Sequence, residues 1–246
     1  MTLNLVVIPT YNEAENLRRL VGMVLDQRTF DVLIVDDNSP DGTGELAEAL
    51  VAHYPGRVAV VHRAGKLGLG TAYRTGFAYA LSNGYQRVFE MDADFSHDPA
   101  ALPELCAELN EADVVLGSRY VRGGATADWP LWRRVLSQGG SRYAALMLGL
   151  PFHDLTGGFK GFTARVLQSL DLDAIQSNGY AFQIEVTYRA YRRGFRIVEH
   201  PITFADRRLG KSKMRPAIVL EALSIVWALR FDSTPAPAFR QASDRA

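Results

Sequence analysis

Five short apolar runs recur along the first half of the chain: Leu3 to Ile8, Val32 to Val35, Val58 to Val61, Val88 to Met91 and Asp113 to Leu116. Stretches with apolar residues at helical spacing separate them. Leu17, Leu20, Val21, Val24 and Leu25 mark one helix, Leu46, Ala49 and Leu50 a second, Ala72 to Leu81 a third and Pro99 to Leu109 a fourth. A strand without polar alternation is buried on both faces, and short β–α connections bring such strands side by side in parallel. The pattern therefore predicts an α/β fold: a mostly parallel sheet with helices on both faces. Pro9 should break the first strand, and Thr10 or Asn12 should cap the helix after it.

In such sheets ligands bind beyond the carboxyl ends of the strands. Three polar loops emerge there: Pro9-Thr10-Tyr11-Asn12-Glu13, the turn beginning Asp36-Asp37, and Asp92-Ala93-Asp94. Two carboxylates one residue apart at a buried strand end repel each other and lose water. A hard divalent cation, Mg2+ or Mn2+, relieves that when it sits between them and a phosphate. An acidic turn is the plainer reading of Asp92-Ala93-Asp94 taken alone.

After Gly117 the alternation stops. Trp132 to Leu148 and Ala181 to Arg193 read as helices, Phe159 to Phe162 as a short strand, and Phe195 to Phe204 as a strand that Pro201 confines to an edge. Residues 207–215 lie in a basic, glycine-containing stretch expected to be a mobile loop. Pro216 to Phe231 should be a helix with a wide apolar face (Val219, Leu220, Leu223, Val226, Trp227, Phe231), which either packs on the core or lies in a membrane surface. The tail 232–246 has the composition of a disordered segment. One domain, 1–231, is expected.

At 246 residues the chain can bury a substantial core. Its 27 basic residues balance 27 acidic ones, so no overall field favours nucleic acid. A single cysteine, Cys106, allows no internal disulfide and no cysteine zinc site. The amino-terminal residues read as a strand rather than a signal peptide, and no window has the apolar length of a membrane span. The glycines from Gly65 to Gly70 have Walker-like spacing, but Thr71-Ala72 stands where Lys-Ser/Thr is needed. Tyr73 likewise replaces the third glycine of a dinucleotide fingerprint.

Taken together, Pro9-Thr10-Tyr11-Asn12-Glu13, the run Asp36 to Thr43, Asp92-Ala93-Asp94 and Gly117-Ser118-Arg119-Tyr120 resemble the family-2 inverting glycosyltransferases of the GT-A fold. Asp154-Leu155-Thr156-Gly157-Gly158-Phe159, Tyr180 to Glu185 and Gly210-Lys211-Ser212-Lys213 narrow the resemblance to dolichyl- or polyprenyl-phosphate mannose synthases, closest to the actinobacterial members. It runs from about Leu3 to about Met214. The resemblance implies transfer of mannose from GDP-mannose to a polyprenyl monophosphate with inversion, at the cytoplasmic face of a membrane. Attachment there would be peripheral or through a membrane-protein partner. The same fold using UDP-glucose, and a non-catalytic nucleotide-binding regulatory module, are the alternatives.

The resemblance also implies roles. Pro9, Tyr11, Glu13, Val35 and Asp37 would line the nucleotide pocket, with Asp92, Ala93, Asp94, Arg119, Arg207 and Lys213 completing the GDP-mannose site. Asp92 and Asp94, with Ser96 where many members have Gln, would hold the Mg2+ or Mn2+. Arg119, Arg133 and Ser137 would take the acceptor phosphate, and Asp92, Asp94 and Arg119 would be catalytic. The acceptor, a phosphate monoester with its second pKa at about 6, is already an anionic nucleophile near neutral pH, so no strong general base is required. His97 reads as structural and Asp36 as a turn residue. Asp154 either orients an acceptor arginine or caps a turn, and Glu185 either serves the site or pairs with Arg189.

Overall fold

The computed structural model describes residues 3–175, 177, 179–205 and 216–231, with side chains of the last helix described from Leu223 onward. The segments 207–215, with Arg207 and Lys213, and 232–246 lie outside the described residues. The first half runs β1 (Asn4–Thr10), α1 (Ala14–Leu25), β2 (Phe30–Asp36), α2 (Thr43–His53), β3 (Val58–His62), α3 (Leu69–Ser82) and β4 (Arg87–Glu90). There follow a 3-10 turn (Pro99–Ala101), α4 (Leu102–Glu108), β5 (Val114–Ser118), β6 (Ala125–Thr126) and α5 (Leu131–Leu148). The chain continues through β7 (Lys160–Thr163), α6 (Ala164–Ser169), α7 (Gly179–Arg192), β8 (Ile197–Pro201), β9 (Thr203–Phe204) and α8 (Pro216–Phe231).

The main sheet has the order β3-β2-β1-β4-β7-β5-β8. All its pairings are parallel except those of β7, which runs antiparallel between β4 and β5. The expected mostly parallel sheet is thus present, with one reversed strand in its middle. Strand β8, with Pro201 at its end, lies at the sheet edge as its proline requires. Alternate residues of β1 supply the two cores: Val6 and Ile8 pack with α1, α2 and α4, while Leu5 and Val7 pack with α3, α6 and α7. Helix α3 comes so close to β1 that a Cβ on Gly76 would stand 2.3 Å from Val7 Cγ1.

Several local expectations need correction. Pro9 does not end β1: the strand continues to Thr10 in register with β2. Neither Thr10 nor Asn12 caps α1. The Thr10 hydroxyl donates to Asp36, and the cap comes instead from the next loop, where Asp41 accepts from the Ala14 N–H at 3.2 Å. Ala47, not Ala49, is the buried alanine of α2. The helix expected over Pro99 to Leu109 is split into a 3-10 turn and α4, because Pro103 has no N–H to offer the Pro99 carbonyl.

For α8, Val226 and Leu229 are buried against Ala144, Leu148, Ile184 and Tyr188 of α5 and α7. The other side leaves Trp227 51% and Phe231 70% exposed. The helix therefore packs on the body of the protein while still presenting aromatic side chains. No helix among the described residues is long and apolar enough to cross a membrane.

Candidate active site

The loops after β1, β2 and β4 meet at the carboxyl end of the sheet, around a cleft of about 270 Å³. Each turns through a non-glycine residue in the left-handed region: Asn12 at φ 61°, Asn38 at φ 57° and Phe95 at φ 61°. Asparagine tolerates this conformation, but a phenylalanine there carries strain of order 1 kcal/mol or more that its surroundings must hold. The strained residue sits between Asp94 and Ser96, and its ring lies under the Arg19 guanidinium at 5.3 Å. Strain of this kind concentrates where a loop must aim particular groups.

The first two loops are laced together by Asp36. Its carboxylate accepts from Thr10 Oγ1 at 2.9 Å, Ser39 Oγ at 2.6 Å and the Ser39 N–H at 3.1 Å, which makes it a structural residue as expected. Asp37 faces the cleft, its Oδ1 taking a hydrogen bond from Arg63 Nε at 2.5 Å. The Arg63 side chain, only 7% exposed, also donates to Thr71 Oγ1 and to the Gly68 carbonyl. The glycine-rich stretch, which matches no phosphate motif, is thereby anchored to the second loop and brings Lys66 to the cleft. The Lys66 ammonium stands 4.2 Å from the centre of the Tyr11 ring.

Asp92 and Asp94 both line the cleft. Asp92 accepts from Tyr73 Oη at 3.3 Å, and burial together with the Asp92 charge raises the Tyr73 pKa well above its ordinary value, so this hydroxyl remains a donor. Asp94 Oδ1 accepts from the Ser96 hydroxyl at 2.5 Å and from its N–H at 3.1 Å. His97 is buried and stacked on Phe159, with Nδ1 accepting from the Asp92 N–H at 3.2 Å. Burial lowers its pKa against the opposing pull of Asp92 and Asp94, and the neutral ring braces the acidic loop from behind.

On the opposite wall, Thr156, Gly158, Gly179, Tyr180, Gln183 and Arg133 complete the cleft. Arg119 lies behind this wall. It grips Asp154 through Nε to Oδ2 and Nη2 to Oδ1, both at 2.7 Å, and through its N–H at 2.9 Å, while Nη2 also reaches Thr156 Oγ1 at 3.0 Å. Asp154 therefore orients an arginine. Two guanidiniums converge on Trp129, Arg133 at 4.1 Å and Arg119 at 5.5 Å from the ring centre. Ser137, one turn beyond Arg133 on α5, lies beside the Tyr120 side chain.

Beneath the cleft floor Glu90 and Lys160 are buried together. Burial, opposed by Lys160 and by the Gln183 amide and reinforced by Asp92, raises the Glu90 pKa to about 8. Burial likewise lowers that of Lys160 to about 8 against the pull of Glu90. Lys160 Nζ donates to the Gln183 carbonyl at 2.7 Å and to Thr187 Oγ1 at 2.8 Å.

Of the site residues expected from sequence, Pro9, Tyr11, Glu13, Asp37, Asp92, Ala93, Asp94 and Arg133 come together on the cleft. Others do not. The Val35 side chain is fully buried in the hydrophobic core beside Leu33 and Phe77. The Ser96 hydroxyl is buried and donates to Asp94 rather than facing the cleft. Arg119 is held by Asp154 behind the wall. Glu185 pairs with Arg189 at 2.7 Å and accepts from Ser177, a structural arrangement. Lys66, Thr156, Tyr180 and Gln183 were not singled out, although each lies in a stretch whose glycines or motif drew notice.

The Asp92 and Asp94 carboxylates suit a hard divalent cation that takes its other ligands from water and a substrate phosphate. Among the described residues no group of three or more His, Cys, Asp or Glu side chains is arranged to hold a metal ion unaided. The donor set thus fits a cation shared with a ligand.

Residues 5–171 match the model of the glycosyl transferase family 2. The chain is 49% identical over 228 residues to the undecaprenyl-phosphate mannosyltransferase of Micrococcus luteus, covering 92% of this chain and 93% of that protein. It is 47% identical over 230 residues to the polyprenol monophosphomannose synthase of Mycolicibacterium smegmatis, covering 92% and 87%. Among solved structures, the fold resembles the mannosyltransferase PcManGT of Pyrobaculum calidifontis in complex with GDP-Man and Mn2+. That likeness has a TM-score of 0.58 at 18% identity and covers 92% of this chain and 72% of the other. The S. aureus TarS 1–349 in complex with UDP gives a TM-score of 0.60 at 17% identity, covering 92% and 64%. With the GT-A sheet, its acidic loop and a family match over most of its length, the chain belongs to glycosyl transferase family 2.

Proposed function

We propose that this protein transfers mannose from GDP-mannose to a polyprenyl monophosphate, with inversion, giving polyprenyl-phosphate β-mannose and GDP. The observation that carries the reading is near-full-length identity of 47–49% to two proteins named for making mannosyl polyprenyl phosphate.

The cleft suits each part of the reaction. Tyr11 offers a flat face to the nucleoside and Asp37 a carboxylate to ring N–H donors, while Pro9, Glu13 and Ala93 shape the walls around them. Asp92 and Asp94 would hold Mg2+ or Mn2+, which neutralises charge on the departing diphosphate. Tyr73, Ser96 and His97 keep those carboxylates aimed. Arg133, stacked on Trp129, and Arg119, fixed by Asp154, place positive charge where the acceptor phosphate would lie, near Ser137. Because that phosphate arrives as an anion, the site has to align two phosphates with the anomeric carbon rather than remove a proton. Arg207 and Lys213 are assigned, by resemblance, to closing over the donor.

A lipid acceptor calls for a membrane surface, at the cytoplasmic face and met directly or through a membrane-protein partner. Exposed Leu131, Trp132 and Val135 on α5, with Trp227 and Phe231 on α8, suit such contact.

Purified protein incubated with GDP-mannose, a polyprenyl phosphate and Mg2+ or Mn2+ should yield a β-mannosyl lipid, identified by mass and by anomeric NMR. Transfer of glucose from UDP-glucose in its place, or no lipid product from either donor, would refute the reading.

A further inference from the structure

Gln183 is a buried polar side chain on the cleft whose amide the fold satisfies only in part. Only 2% of the residue is exposed, it lines the cleft between the acidic loop and Tyr180, and its Oε1 has no hydrogen-bond partner among the described residues. A buried amide oxygen left unpaired costs about 1–3 kcal/mol, so its retention calls for a ligand that supplies the missing donor. Its position is held from below: the buried Lys160 ammonium and the Thr187 hydroxyl both donate to the backbone carbonyl of Gln183 itself. The amide stands against the Glu90 side chain, with which it interacts through its nitrogen. With Glu90 accepting from the amide nitrogen, the amide oxygen is the group offered to the cleft.

Diphosphate oxygens only accept hydrogen bonds and cannot satisfy an amide oxygen. A sugar hydroxyl can. We infer that Gln183 reads the hydroxyls of the transferred sugar and so determines which sugar is moved, with Glu90 and Lys160 setting the pose of its amide. The assignment rests on the glycosyl transfer proposed above. It gives the opposite wall of the cleft a task separate from the metal and nucleotide contacts of the three loops. A site built to hydrogen-bond a hydroxyl discriminates more sharply than an apolar pocket does, because the wrong ligand leaves the amide unpaired.

The test compares GDP with GDP-mannose binding by calorimetry, in the presence of Mn2+, for wild type and Gln183→Met, together with transfer kinetics. Methionine matches the length of glutamine without its hydrogen bonds. GDP affinity and Tm should stay near wild type, while the affinity ratio of GDP-mannose to GDP falls about 5- to 100-fold and kcat/KM falls with it. Gln183→Asn, whose amide is one methylene short, should lower the same ratio and serves if methionine disturbs folding. A purely structural role would instead change Tm and GDP affinity together, and that outcome overturns the inference. So does an active wild type whose variants keep the wild-type ratio. A wild type that forms no mannosyl lipid overturns the function underneath it, a result distinct from the other two.

Discussion

Arg119 and Asp154, 35 residues apart in the chain, are clasped by a pair of 2.7 Å side-chain hydrogen bonds in which neither side chain has more than 3% of its surface exposed. Removing one member of a buried pair leaves the other charge uncompensated, typically at about 3–5 kcal/mol, whereas replacing both with apolar groups is often close to neutral. Asp154→Leu alone should therefore lower the urea midpoint sharply, and the double variant Arg119→Met with Asp154→Leu should recover most of that loss. Polyprenyl phosphate turnover should stay low in the double variant. Recovered stability together with recovered turnover would show that Arg119 has no part in the reaction.

The same pair sets a pH dependence. Burial alone would raise the Asp154 carboxyl, but the Arg119 charge and three hydrogen bonds hold it below its ordinary value. A carboxyl depressed in the folded state stabilises the protein fully above its unfolded pKa of about 3.9, and that contribution fades as pH falls toward the depressed value. The stability gap between wild type and Asp154→Asn should narrow from pH 7 to pH 3 in denaturant titrations. A gap of constant size would contradict the assignment.

Asp94 and Ser96 should separate ligand from support. Asp94→Asn should lower turnover by about 100-fold or more and make GDP binding insensitive to Mg2+ or Mn2+. Ser96→Ala removes only the hydroxyl that donates to Asp94, and should weaken metal affinity by about 10- to 100-fold. If Ser96→Ala matched Asp94→Asn in both measurements, Ser96 would be a ligand after all.

Gly76 should tolerate no side chain. A Cβ there would meet Val7 Cγ1 at 2.3 Å, in the layer that joins α3 to β1. Gly76→Ala should destabilise the protein by about 1–3 kcal/mol, read from denaturant unfolding, with Val7→Ala restoring part of the loss when combined. Full additivity of the two substitutions would refute the close approach, since residues in contact should couple.

Much of this protein is visible along the chain because much of it is local. Continuous apolar runs and helical spacing mark the strands and helices of the first half, and short connections oblige the strands to lie parallel. The same order brings the loops after Ile8, Val35 and Met91 to one edge of the sheet. Seven of the expected site residues line the cleft where those loops meet, and Arg133 joins them from α5. A resemblance in motifs reached further than pattern did, to the family itself.

What stayed hidden depends on partners distant in sequence. Nothing in Lys160–Thr163 says that this strand slips antiparallel between β4 and β5, since the reversal is decided by which edges remain to be paired. That Asp94 takes the Ser96 hydroxyl and Asp154 clasps Arg119 could not be read along the chain. Gln183 drew notice only as a member of the Tyr180 to Glu185 motif, because a glutamine on a helix stands out only when its burial and its unpaired oxygen are known. Residue order thus determined the sheet, its ligand edge and the acidic loop, through periodicities that need no distant contact. The tertiary structure alone decided which polar groups satisfy one another and which are left facing the cleft, because hydrogen bonding is settled between atoms that the chain brings together only when it folds.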